Sequence, residues 1–130
     1  MKILVGYDHS GVSEALLNLA REHALAFKAE ICLMTSLEQG STLKNEDVQR
    51  AESRLDRAMA LYKADGIACE TKVSVSYLGA REDLVKYAVE NAMDEIIIGV
   101  KRRSKVGKLM FDSNAQYVIL KAPCPVVSVK

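Results

Sequence analysis

The residues best suited to chemistry gather after the run Ile96-Ile97-Ile98-Gly99, where Lys101, Arg102, Arg103, Lys105 and Lys108 put five cations into one short stretch. Cations at that density suit phosphate, because guanidinium and ammonium groups make charge-assisted hydrogen bonds to phosphoryl oxygens. Gly107-Lys108 invites comparison with a phosphate loop, but the spacing fails. A Walker-type loop needs glycine where Arg102 stands and serine or threonine where Leu109 stands, so its magnesium-binding hydroxyl is missing. No GxGxxG follows the first apolar run, which sets aside the usual dinucleotide signature. Ser113 and Asn114 come next, where a hydroxyl and an amide at a helix start can either receive an anion or cap the helix. His9 and His23 have no matching ligand partners in sequence, and no nucleophile with its base, carboxylate dyad or metal cluster can be picked out.

The elements that must position these residues follow from hydrophobic periodicity. Ile3-Leu4-Val5 is a buried strand that stops at the turn and cap residues Asp8 and Ser10. Val12, Ala15, Leu16, Leu19, Ala20, Ala24 and Phe27 then recur at helical spacing to about residue 28. Ile31 to Met34 is a second strand with Ser36 at its tip, and the stretch Glu38 to Asn45 leads into a helix carrying Val48, Ala51, Leu55, Ala58, Leu61 and Tyr62 on one face. Gly66 ends that helix. Cys69 to Tyr77 alternates as a third strand, followed after Gly79 by a helix with Leu84, Val85, Ala88 and Val89. Ile96 to Gly99 is a fourth strand, 100 to 108 a polar basic loop, and Ser113 to about Leu120 a final helix with Ser113 as its cap. Pro123 and Pro125 stop that helix, and Val126 to Val129 make a fifth strand.

Strands that alternate with helices in this way predict an α/β fold: a Rossmann-like doubly wound sandwich with a five-stranded parallel sheet and about four helices. The 130 residues, 49% of them hydrophobic, suit a single domain over 1–130. In such sheets ligands sit at the carboxyl ends of the strands, where the strand order reverses, which selects the tips at Tyr7 to Ser10, Met34 to Leu37 and Gly99 to Ser113. Eighteen basic against seventeen acidic residues leave no overall field toward nucleic acid, and there is no aromatic stacking platform. The apolar run after Met1-Lys2 is too short for a leader or a membrane span, so a cytoplasmic location without membrane insertion is expected. Cys32, Cys69 and Cys124 are odd in number and widely spaced, and read as reduced, mostly buried small hydrophobes.

The layout resembles the universal stress protein family over nearly the whole chain. Ile3-Leu4-Val5-Gly6-Tyr7-Asp8-His9-Ser10 is similar to that family's first strand and aspartate turn, and Ala122-Pro123-Cys124-Pro125-Val126-Val127 to its ending. Nucleotide-binding members carry a glycine, two residues, a glycine, nine residues, then glycine and serine or threonine. Ile98-Gly99 and Asp112-Ser113 keep that spacing, with Arg102 and Asp112 in place of two glycines. The resemblance implies a regulatory module that binds ATP or a related adenine nucleotide, with or without magnesium, and couples occupancy to a regulatory protein partner. Slow hydrolysis or autophosphorylation is the most activity expected. It further implies that Asp8 meets the ribose, that the backbone at Ser36 holds adenine, and that Gly99 and Ser113 belong to the phosphate site; Ile98 and Asn114 are counted with them as nucleotide-binding, and so are Arg102 and Lys108 where the basic loop acts as a phosphate clamp instead of a solvated surface. Pairing of the carboxyl-terminal strand across a homodimer is the family's implied assembly. The alternative is a member that binds no nucleotide and works through dimer and protein contacts, which the two lost glycines favour.

Overall fold

The computed structural model describes residues 1–8, 12–100, 102–103, 110–111 and 113–130. The chain runs β1 (Lys2–Gly6), α1 (Ser13–Phe27), β2 (Glu30–Glu38), α2 (Asn45–Ala64), β3 (Cys69–Ser76), α3 (Ala80–Glu90), β4 (Glu95–Gly99), β5 (Arg102–Arg103), β6 (Met110–Phe111), α4 (Ser113–Lys121) and β7 (Val126–Val129). Five strands form a parallel sheet in the order β3-β2-β1-β4-β7, and β5 and β6 form a separate antiparallel pair.

Alternation along the pleat assigns the two faces. Ile3 and Val5 of β1, Ile31 and Leu33 of β2 and Ile97 of β4 point into a core closed by Leu16, Ala20 and Ala24 of α1 and Leu55, Ala58 and Tyr62 of α2. Leu4, Cys32, Met34, Ile96 and Ile98 point the other way, against Leu84 and Ala88 of α3 and Ala115 and Val118 of α4. Burial on both faces is what the unbroken apolar runs of β1 and β4 require. This is the doubly wound sandwich with four flanking helices that the periodicity predicts.

Several local expectations are corrected. β2 extends to Glu38, so Thr35 to Glu38 belong to the strand and Ser36 pairs with Ser74 instead of making a turn. Val100, the first residue after β4, is buried and its N–H donates to the Val129 carbonyl at 2.7 Å, and the stretch expected as loop contains Arg102-Arg103, which pair with Met110-Phe111. The N-cap position of α1 falls on Val12 and not on Asp8, and Val12 makes no side-chain cap bond. Ser113 is the first residue of α4, not its cap, because the cap position falls on residue 112, outside the described residues. Phe27, Leu61 and Val89, expected on buried stripes, are 53%, 66% and 59% exposed. On α2 the stripe is completed by Tyr62, which turns Leu61 outward, and Phe27 packs edge-on against His23 at 5.5 Å between ring centroids. Gly66 at φ +75 supplies the left-handed turn that separates α2 from β3. The three cysteines are free, with Cys32 and Cys69 buried and Cys124 half-buried.

Candidate functional site

From β1 the chain winds outward through β2 to β3, then returns to the other side of β1 with β4 and β7. The reversal therefore falls between β1 and β4, where the loops leave toward opposite faces and open a crevice at the carboxyl ends of the strands. The structure has a cleft of about 400 Å³ there, within the size range of small-ligand sites. Gly6, Ile98 and Gly99 form its floor with Leu84 and Val118, while Ser36, Leu37 and Leu43 come from β2 and the segment that follows it. The β1 and β2 tips are tied together: the Tyr7 N–H donates to the Met34 carbonyl at 2.9 Å, and the Thr35 hydroxyl donates to the Tyr7 carbonyl at 2.7 Å.

Charge is distributed evenly around the rim. Asp8, Glu38 and Asp47 contribute carboxylates; Arg50 and Arg54 of α2 and Arg81 of α3 contribute guanidinium groups. Arg81 is held on two sides, its Nε donating to Glu82 Oε1 at 2.9 Å and its guanidinium lying 5.0 Å from the centroid of the Tyr117 ring on α4. That hydrogen bond holds the Glu82 carboxyl below the usual range. Arg50 reaches Asp47 at 3.7 Å, one helical turn away. Asn114 opens the α4 side of the cleft, where backbone N–H groups at the helix start favour an anion.

The whole chain, residues 1–130, matches the family model described as universal stress protein family. The chain belongs to that family. A curated relative from Thermus aquaticus, "Universal stress protein in QAH/OAS sulfhydrylase 3′region", is 28% identical over 137 residues, covering 98% of this chain and 97% of its own length. Among solved structures, a universal stress protein from Archaeoglobus fulgidus superimposes with a TM-score of 0.87 at 32% identity, covering 100% of this chain and 93% of that one. A universal stress protein from the same organism solved in complex with dAMP superimposes with a TM-score of 0.84 at 30% identity, covering 100% and 98%.

Within this universal stress protein domain the expected site residues divide in three. Asp8, Ser36, Ile98, Gly99 and Asn114 all line the cleft. Ser113, though adjacent to Asn114, is exposed and is not among the lining residues. Lys108 lies outside the described residues, and of Arg102 only the backbone pairing in β5 is described. Arg50, Arg54 and Arg81 escape the sequence reading, because apolar stripes alone do not single them out. A signal does exist for the first two: Arg50, Arg54 and Arg57 recur at helical spacing on one side of α2. Among the described residues, no group of three or more His, Cys, Asp or Glu side chains comes together as a metal site, and no helix is long and apolar enough to cross a membrane.

Proposed function

We propose that the cleft binds ATP or a related adenine nucleotide and that occupancy changes this protein's affinity for a regulatory partner in the cytoplasm. The observation that carries the proposal is the lining of the cleft at the β1/β4 reversal. An apolar floor of Ile98, Leu84 and Val118 suits a purine; Asp8 and Asn114 also line the cleft, where the carboxylate would accept from a ribose hydroxyl and the start of α4 would receive a phosphate. The family relative in complex with dAMP supports the ligand class. Arg102 and Asp112 remove two points of close backbone approach, so side-chain cations, Arg81 of the rim among them, supply the positive charge that glycine amides would otherwise provide. Magnesium would serve by neutralising charge between the phosphates and Asp112.

This is function by binding, with hydrolysis at most slow. β7 is an edge strand whose only described neighbour is β4, and pairing of its open edge with a second copy would give a homodimer. The test is isothermal titration of protein freed of carried-over ligand with AMP, ADP and ATP, with and without magnesium. Binding at micromolar to submillimolar concentration is expected. No heat at millimolar ligand would overturn the nucleotide reading and leave a protein that acts through dimer and partner contacts alone.

A further inference from the structure

The nucleotide cleft does not end at α2. A groove of about 560 Å³ between α1 and α2 shares Tyr7, Arg50 and Arg54 with the cleft and continues past them to Arg57 and Leu61. The two hollows are therefore walled in common by a pair of arginines. Their charge character differs. Three carboxylates offset three arginines around the cleft, whereas the described residues lining the groove include Arg50, Arg54 and Arg57 and no carboxylate.

Ordinary helix design does not account for this stripe. Side chains three and four residues apart face each other on a helix, and opposite charges at those spacings stabilise it while like charges destabilise it. Arg54 has Arg50 and Arg57 at those spacings, and Arg57 has Arg54, Ser53, Ala60 and Leu61; neither has a carboxylate there. Glu52 and Asp56 lie at offsets that turn them to other sides of α2. Arg54 is half-buried rather than free in solvent, which strengthens its field at the groove wall. A repulsive row of cations lining a hollow is relieved by a bound anion, and arginine's planar fork matches phosphoryl oxygens.

We propose that this groove is a second phosphate subsite, so that the preferred ligand is an adenine nucleotide carrying phosphoryl groups at two separate ends: one in the cleft and one on Arg54 and Arg57. The inference rests on nucleotide binding in the cleft for its first half and on the arginine row for its second. The probes are AMP, adenosine 3′,5′-bisphosphate and inorganic tripolyphosphate, titrated against wild type and against Arg57→Gln, a residue that lines the groove but not the cleft. The bisphosphate should bind wild type about tenfold tighter than AMP, the gain of one charge-assisted contact. R57Q should erase that advantage while leaving AMP affinity unchanged. Equal binding of AMP and the bisphosphate to wild type overturns the subsite and leaves the cleft reading intact. Tripolyphosphate bound by wild type and lost in R57Q, with no AMP binding, supports the arginine groove and overturns the nucleotide cleft. Binding of none of the three overturns both, and an R57Q effect equal on AMP and bisphosphate shows general charge attraction and overturns the subsite.

Discussion

Substitution at Gly6 probes the floor of the cleft and its core at once. A Cβ at this position would stand 3.3 Å from Leu84 Cδ2 and 3.4 Å from Ile98 Cγ2. Carbon atoms prefer about 3.5–4.0 Å, so alanine asks the ends of two side chains to yield by a few tenths of an ångström. Overpacking of that size costs about 1 kcal/mol, and replacing glycine in a strand returns about 0.5–1 kcal/mol of backbone entropy. G6A should therefore lie within about 1 kcal/mol of wild type, or about 4 °C in melting temperature. Valine adds two methyl groups against neighbours that are each only 6% exposed and that both line the cleft, so the displaced atoms move into the ligand's space. G6V should cost about 2–3 kcal/mol, lower the melting point by about 10 °C, and weaken AMP binding at least about tenfold. Thermal melts and AMP titrations on both variants read these out. A G6V protein that melts with wild type would show the floor to be loosely packed, and one that is destabilised yet binds AMP normally would show that the ligand does not lie over Gly6.

Other predictions concern the scaffold. Tyr62 is buried and its hydroxyl donates to the Leu17 carbonyl at 2.7 Å, so Y62F should lose about 1 kcal/mol in urea melts; an unchanged midpoint would assign that hydroxyl no role in joining α2 to α1. His23 Nδ1 lies 2.7 Å from Oε1 of the buried Glu95, and a double-mutant cycle of H23A and E95A should return a coupling of about 1.5 kcal/mol, refuted by additive losses. Because Glu95 begins β4 while the cleft lies at the strand's other end, the same variants should keep AMP affinity. Burial pushes the Cys69 thiol from an ordinary 9.0 up to about 11, so the fold favours its neutral form. That contribution is complete below pH 9 and is lost as pH rises through about 11, and C69A should flatten the fall of stability over that interval; an identical slope would refute the assignment.

How much of this is legible in sequence depends on how far each feature is local. β1 and β4 are covered on both faces, so their apolar runs announce them, and the alternation with helices announces the parallel sheet. The end of β2 is harder, because Thr35 to Glu38 lie beyond the helical cover and are largely polar, yet the backbone pairing to β3 continues through Glu38. The β5/β6 pair is masked by basic composition, and the His23–Glu95 contact joins residues 72 positions apart, a distance no periodicity records. Asp8, Ser36 and Gly99 are found at the cleft by topology alone, since each stands at or near the carboxyl end of a strand flanking the β1/β4 reversal or its neighbour.

The arginines of α2 are an instructive omission, because their signal lies in the sequence but in a different register. An amphipathic reading asks which residues a helix hides and passes over its polar side as solvated surface. Ala51, Leu55, Ala58 and Tyr62 answer that question completely, so nothing in the buried stripe points to the polar side that flanks it, where Arg50, Arg54 and Arg57 each stand one residue before a buried one. That polar side, however, follows its own rule, under which neighbouring charges at helical spacing should alternate in sign. Arg50 satisfies the rule with Asp47, whereas Arg54 and Arg57 break it, with no carboxylate three or four residues away on either side. Local rules are broken most often where function constrains them. The face on which α2 breaks its rule is the wall shared by the cleft and the groove, and that coincidence links the helix's unfavourable charge pattern to a ligand's phosphates.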